Sequence, residues 1–272
     1  MKTRIISAAI LIPVLLLIVL VAPKIVAALV MAAMAAIAAY ELLYRTRLVK
    51  HPRLVLYSCA MAVAMTLWSY WGAPHAWLVL LMMAFWGLLF MEMMLDHIKV
   101  RIETLGLCFL AGAIVPYFLS AMVRILTMSI GRYVVLIPFV VAFLSDSGAY
   151  FVGLKFGRHK LAPVVSPNKT IEGAVGGIVS CVISMVLYAL IVSFIPGVKV
   201  NYLLAMVYGL MGALVDIFGD LSFSIIKRQT GIKDYGNLIP GHGGILDRFD
   251  SMVMVAPLVE ALLHLAPMVT AV

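Results

Sequence analysis

Between two long apolar runs near the C-terminus, residues 227–250 read KRQTGIKDYGNLIPGHGGILDRFD. The stretch carries four basic residues, three aspartates, one histidine and five glycines, a composition that a plain connector does not need. Lys227, Arg228, Lys233 and Arg248 suit phosphate oxygens, the arginines in bidentate fashion. Glycines such as Gly243 and Gly244 let backbone amides approach an anion closely. Asp234, Asp247 and Asp250 are carboxylates of the kind that hold Mg²⁺, which takes oxygen ligands and bridges to substrate phosphates. The inventory is that of a polyphosphate–metal site at a membrane surface.

Further carboxylates lie inside apolar runs. Asp216 and Asp220 are four residues apart in LVDIFGDLSFSIIKR, and Ser224 and Arg228 continue the same helical row. Asp146 lies in LSDSGAYFVG. Such a row facing lipid is prohibitive; facing a water-filled cleft it is a cation site. The alternative is a structural polar seam between helices. Asp220 and Asp247 lead as Mg²⁺ ligands, with Asp216, Asp250 and Asp146 supporting, and the HGG turn would let the chain fold back to unite the leading pair. Asp247 could instead pair with an arginine and shape the turn. Glu260 and His264, one turn apart, read as a helix-packing or subunit contact, which leaves room for a homodimer. A second polar stretch, 154–172 (LKFGRHKLAPVVSPNKTIE), repeats the basic theme and contains Ser166 and Lys169. Pro163 and Pro167 rule out one long helix there, so it reads as a loop over the site.

The elements that must position these residues follow from composition. Of 272 residues, 65% are hydrophobic and 12% charged, against roughly 25% charged in a soluble domain. That excludes a soluble enzyme, a disordered chain and a disulfide scaffold. The runs are long, without the alternation of barrel strands. They predict an all-α polytopic integral membrane protein of about nine spans: 5–22, 25–44, 54–71, 76–95, 105–124, 133–153, 173–195, 202–226 and 251–269. With the N-terminus in the cytoplasm, all 20 basic residues except Lys24, Arg124, Arg132 and Lys199 fall on the cytoplasmic side. Both polar stretches share that side, so the catalytic cleft is expected to open there. This asymmetry accounts for the net charge of +8, and no nucleic-acid partner is expected. Trp68, Tyr70, Trp71 and Trp77 are expected at the opposite interface. Cys59, Cys108 and Cys181 form no CxxC pair and read as buried small hydrophobes.

Residues 224–250 resemble the signature of the phosphatidate cytidylyltransferases, or CDP-diacylglycerol synthases. Every fixed position is filled: Ser224, Lys227, Arg228, Lys233, Asp234, Gly236, Pro240, His242, Gly243, Gly244, Asp247, Arg248 and Asp250. SPNKTIEG (166–173) and DSGAYFVG look like the same family, whereas the first 130 residues match only in general character. The resemblance implies N-terminal spans over 1–130 and a catalytic region over 131–272. It implies cytidylyl transfer from CTP to phosphatidic acid, with Mg²⁺, at the cytoplasmic face of the inner membrane. Because the lipid phosphate is already ionised, His242 reads as a phosphate ligand or turn residue before a base. Two other readings stay open: a transporter with an aspartate ion path, and another lipid-phosphate enzyme. The GxxxxGK[ST] loop and the DGxxAR-type aspartate run are both missing.

Overall fold

The computed structural model describes residues 2–271. The chain is a multi-pass membrane protein, mostly helical, with two small two-stranded sheets. Among the described residues, seven helical segments are long and apolar enough to cross a membrane: Lys24–Arg45, Pro52–Trp71, His75–Leu95, Ile102–Thr127, Gly131–Phe156, Ile171–Ser193 and Tyr202–Gln229. The first expected span falls on the helix Lys2–Leu20, and the last folds as a shorter apolar helix, Met252–Leu265. Fourteen helical residues rise about 21 Å, less than the roughly 30 Å of a bilayer core.

The chain divides into two compact units. The first is Met1–Thr127 with Gln229–Phe249, the second Met128–Arg228 with Asp250–Val272.

In the first unit, α1 (Lys2–Leu20) leads into α2 (Lys24–Tyr40), which widens into a π-helical turn at Glu41–Arg45. There follow α3 (Pro52–Trp71), α4 (His75–Leu95) and the broken helix α5–α7 within Ile102–Thr127. The alanine face of α2 (Ala28, Ala32, Ala35, Ala39) is buried, and small residues let helices approach closely where lipid offers no hydrophobic drive. Of the aromatic residues expected at the interface, Trp68 packs inward. It is buried, its ring beside His75 and Tyr117, and its indole N–H donates to the Pro74 carbonyl at 3.4 Å. Trp71 and Trp77 remain exposed.

In the second unit, α8 (Gly131–Val134) precedes α9 (Ile137–Phe156), a β1–β2 hairpin (Lys160–Ala162, Ser166–Thr170) and α10 (Ile171–Ser193). Strand β3 (Val198–Val200) precedes α11 (Tyr202–Gln229). Helix α12 (Leu246–Phe249) belongs to the first unit, and α13 (Met252–Leu265) and β4 (Val269–Ala271) to the second. β3 and β4 pair antiparallel, Lys199 opposite Thr270. Helices α9 and α10 are in close contact because glycines face the partner backbone. A Cβ at Gly177 would lie 2.9 Å from the Ser145 carbonyl oxygen. Helix α11 meets α10 at Gly209, α9 at Gly212 and the start of α13 at Gly219. These close approaches set the polar face of α11 against its neighbours.

Candidate active site

The expected loop at 154–172 is an antiparallel hairpin, Lys160 opposite Thr170 and Ala162 opposite Ser166, with an irregular register between. Thr170 ends it and caps α10, its hydroxyl accepting the Gly173 N–H at 3.1 Å. Glu172 accepts the Arg158 N–H at 3.1 Å and contacts His159 Nδ1 at 2.6 Å, fixing the hairpin base. At the end of α11, Arg228 Nε donates to the Val165 carbonyl at 3.0 Å. The hairpin thereby delivers Lys169 to Asp220, with which it forms an ion pair. Burial works against the Lys169 charge, but attraction to Asp220, Asp146 and Asp216 outweighs it and raises its pKa.

The row along α11 is real. Asp216 is 1% exposed, and Ser224 Oγ donates to Asp220 Oδ1 at 3.3 Å. Lys227 Nζ lies 3.6 Å from Asp250 Oδ2, and Asp250 Oδ1 accepts the Ser251 N–H at 2.9 Å. Asp146 of α9 interacts electrostatically with Asp216, Lys169 and Asp250. Burial, reinforced by the Asp220 carboxylate, pushes Asp250 up to about 7 against the pull of Lys227. The second unit thus gathers four carboxylates, Asp146, Asp216, Asp220 and Asp250, against Lys169 and Lys227. Among the described residues, Asp216 Oδ1 and Ser145 Oγ are buried without a hydrogen bond of good geometry, although the Ser145 and Ser251 hydroxyls lie close enough to the Asp216 carboxylate to favour its charge. A buried carboxylate oxygen in that position is costly unless a cation meets it. No three His, Cys, Asp or Glu side chains among the described residues form a ready-made metal cage. Mg²⁺ needs only one or two protein carboxylates beside substrate oxygens and water, and the donor set fits that ion.

A cavity of about 450 Å³ in the same unit is lined by Asp146, Lys160, Asn168, Lys169 and Thr170, with Tyr150, Leu154 and Leu161 among its apolar walls. Charged groups of both signs beside apolar walls suit an anionic headgroup on an apolar tail. Ser166 lies half-buried in β2, two residues from Asn168.

The signature turn belongs to the first unit. Gly241 and Gly243 take left-handed φ values of 77° and 88°, which favour glycine. Ile239 and Gly243 bridge across the turn. Asp247 Oδ2 accepts the N–H groups of Tyr235 at 2.7 Å, Gly244 at 2.9 Å and Gly236 at 3.4 Å. That is the turn-shaping role weighed for Asp247, carried by backbone amides in place of an arginine. Arg248 Nε donates to the His242 carbonyl at 2.9 Å, and the side chains of Lys233, Asp234 and Arg248 are exposed. His242 Nδ1 is buried without a partner among the described residues. A residue the sequence reading missed is Glu41, whose carboxylate accepts the Ile245 and Leu246 N–H groups at 3.1 and 2.8 Å. Its only sequence signal is an acidic residue at the end of an apolar span.

Residues 2–266 match the profile of a family described as the cytidylyltransferase family. Over 137 residues the chain is 44% identical to proteins named phosphatidate cytidylyltransferase from Staphylococcus haemolyticus, Staphylococcus saprophyticus and Staphylococcus aureus. Those alignments cover 50% of this chain and 51% of each relative, so the chain spans about half the length of the curated relatives it matches.

Proposed function

This chain belongs to the cytidylyltransferase family, and we propose on that premise that it transfers the cytidylyl group of CTP to phosphatidic acid. A phosphate oxygen of the lipid attacks the α-phosphorus of CTP, the bond to the bridging oxygen of the β-phosphate breaks, and pyrophosphate leaves. The product is CDP-diacylglycerol. Both reactants are anions, so the residues act by positioning them and neutralising charge. Lys169, Lys227 and Arg228 are assigned to phosphate groups, and the exposed Lys233 and Arg248 offer the same chemistry. The observation that carries the reading is the cluster around the α11 row, in which four carboxylates, Asp216, Asp220, Asp146 and Asp250, face two lysines, Lys169 and Lys227.

Mg²⁺ bound there would neutralise the phosphates and polarise the reacting oxygens. Asp220 and Asp216 lead the ligand set, with Asp250 and Asp146 beside them. Asp247, whose Oδ2 is engaged by backbone amides, has the weaker claim. His242 is assigned to phosphate binding or to the turn, since an ionised lipid phosphate needs no base. The reaction is assigned to the cytoplasmic face of the inner membrane, where CTP is available and anionic lipid meets a basic surface.

Purified protein given labelled CTP and phosphatidic acid vesicles should move label into the organic phase in a Mg²⁺-dependent manner. Label that stays aqueous with phosphatidic acid but enters another lipid phosphate would replace the acceptor. No transfer to any lipid would overturn the activity.

A further inference from the structure

We propose that Glu41, at the end of the second helix, is a positioning residue that holds the Pro-x-His-Gly-Gly-x-x-Asp-Arg turn in its working shape. The inference rests on the activity proposed above and adds a component that lies far from the signature in sequence. Glu41 is only 3% exposed. A carboxylate buried to that degree must be satisfied, and here both oxygens are used on the turn. Oε1 accepts the Ile245 N–H and Oε2 the Leu246 N–H. The side chain also lies directly against two signature glycines: a Cβ on Gly236 or Gly244 would overlap the Glu41 carboxylate. The glycines therefore serve the fit to Glu41 as well as the turn's own geometry.

Asp247 grips the same turn through Tyr235, Gly236 and Gly244. The two carboxylates repel one another, which is tolerable because five backbone amides are shared between them. Arg45, four residues on, attracts Glu41 and donates to Asn237 Oδ1 at 2.7 Å. Glu41 and Arg45 bound a π-helical turn, a rare geometry that recurs at functional sites. A helix end that only had to pack would be served by an apolar side chain. His242 and Arg248 belong to the turn so held, and an error of about 1 Å in such groups can cost on the order of a hundredfold in rate.

The test uses the full chain in detergent or nanodiscs, with two variants of similar volume. Glu41→Gln keeps one acceptor oxygen but turns an NH₂ towards a backbone donor; Glu41→Leu keeps none. Amide hydrogen exchange, read without substrate, should accelerate in peptides within 236–249 and stay unchanged in α9 and α10. Cytidylyl transfer should fall in the order wild type, Gln, Leu, by about ten- to a hundredfold for Leu, with the loss on kcat more than on KM for CTP. Unchanged exchange in the turn, or kcat for Glu41→Leu within about twofold of wild type, overturns the proposal. Should Glu41→Leu fail to accumulate, Glu41→Gln decides on the same two readouts. A wild-type chain that transfers nothing sinks the proposed activity, while exchange still decides whether Glu41 holds the turn.

Discussion

Asp220 holds several functions at once: it pairs with Lys169, accepts from Ser224 and raises the proton affinity of Asp250. Its replacement by Asn keeps the shape and the hydroxyl contact but removes one of the four carboxylates that face Lys169 and Lys227. Asp220→Asn should lower the transfer rate by about a hundredfold or more while the protein still inserts. Added Mg²⁺ should raise the wild-type melting temperature, because a ligand that binds only the folded state stabilises it. That shift should vanish in Asp220→Asn. A variant that keeps both the wild-type rate and the Mg²⁺-dependent shift removes Asp220 from the ligand set. The melting readout needs no turnover, so it tests the metal separately from the reaction.

At the scale of elements, the site depends on how near α9 and α10 can come. The Ser145 carbonyl and Ala149 would meet a Cβ on Gly177 at 2.9 and 3.1 Å, and neither can swing aside as a long side chain would. Gly177→Ala should therefore destabilise the second unit by about 1–3 kcal/mol and lower activity through displacement of Ser145 and Asp146. Gly87 on α4 is the control, since a Cβ there meets nothing within 4 Å. Gly87→Ala should be neutral or stabilise by up to about 1 kcal/mol, the helix propensity gained. Equal melting temperatures for the two variants would show that the α9–α10 contact is not limiting. The hairpin illustrates why this scale was only partly legible. Pro163 and Pro167 excluded a helix, but strand pairing depends on partners, and Glu172 and Thr170 anchor the hairpin from the following helix.

Across the whole molecule, the distribution of lysine and arginine predicts one orientation, with the N-terminus in the cytoplasm. Leu238→Cys, in an exposed part of the signature turn, should be shielded from an impermeant thiol reagent in intact cells. Lys199→Cys, before α11, should be modified. Background is low because Cys108 and Cys181 are buried and Cys59 is half-buried. Labelling of the first without the second would invert the topology. The division into units is a further property of the whole: the turn 229–249 folds with residues 1–127, not with the helices that flank it in sequence. The N-terminal spans, which resembled the family only in general character, supply Ser7, Glu41 and Arg45 to that turn.

The sequence alone determined what depends on composition and local spacing. An apolar fraction of 65% required a bilayer. The four-residue interval placed Asp216, Asp220 and Ser224 on one helix face, and the fixed residues of 224–250 marked the family. Tertiary structure decided which partner each charge takes. Lys169 meets Asp220 across 51 positions because a hairpin delivers it, Asp247 turns to backbone amides, and Glu41 reaches Leu246 across 205 positions. The physical reason is that a buried charge must find its counterpart wherever the fold brings one. Periodicity reports only neighbours three or four residues away, so it could rank the carboxylates of α11 but gave no sign of the one that secures the turn.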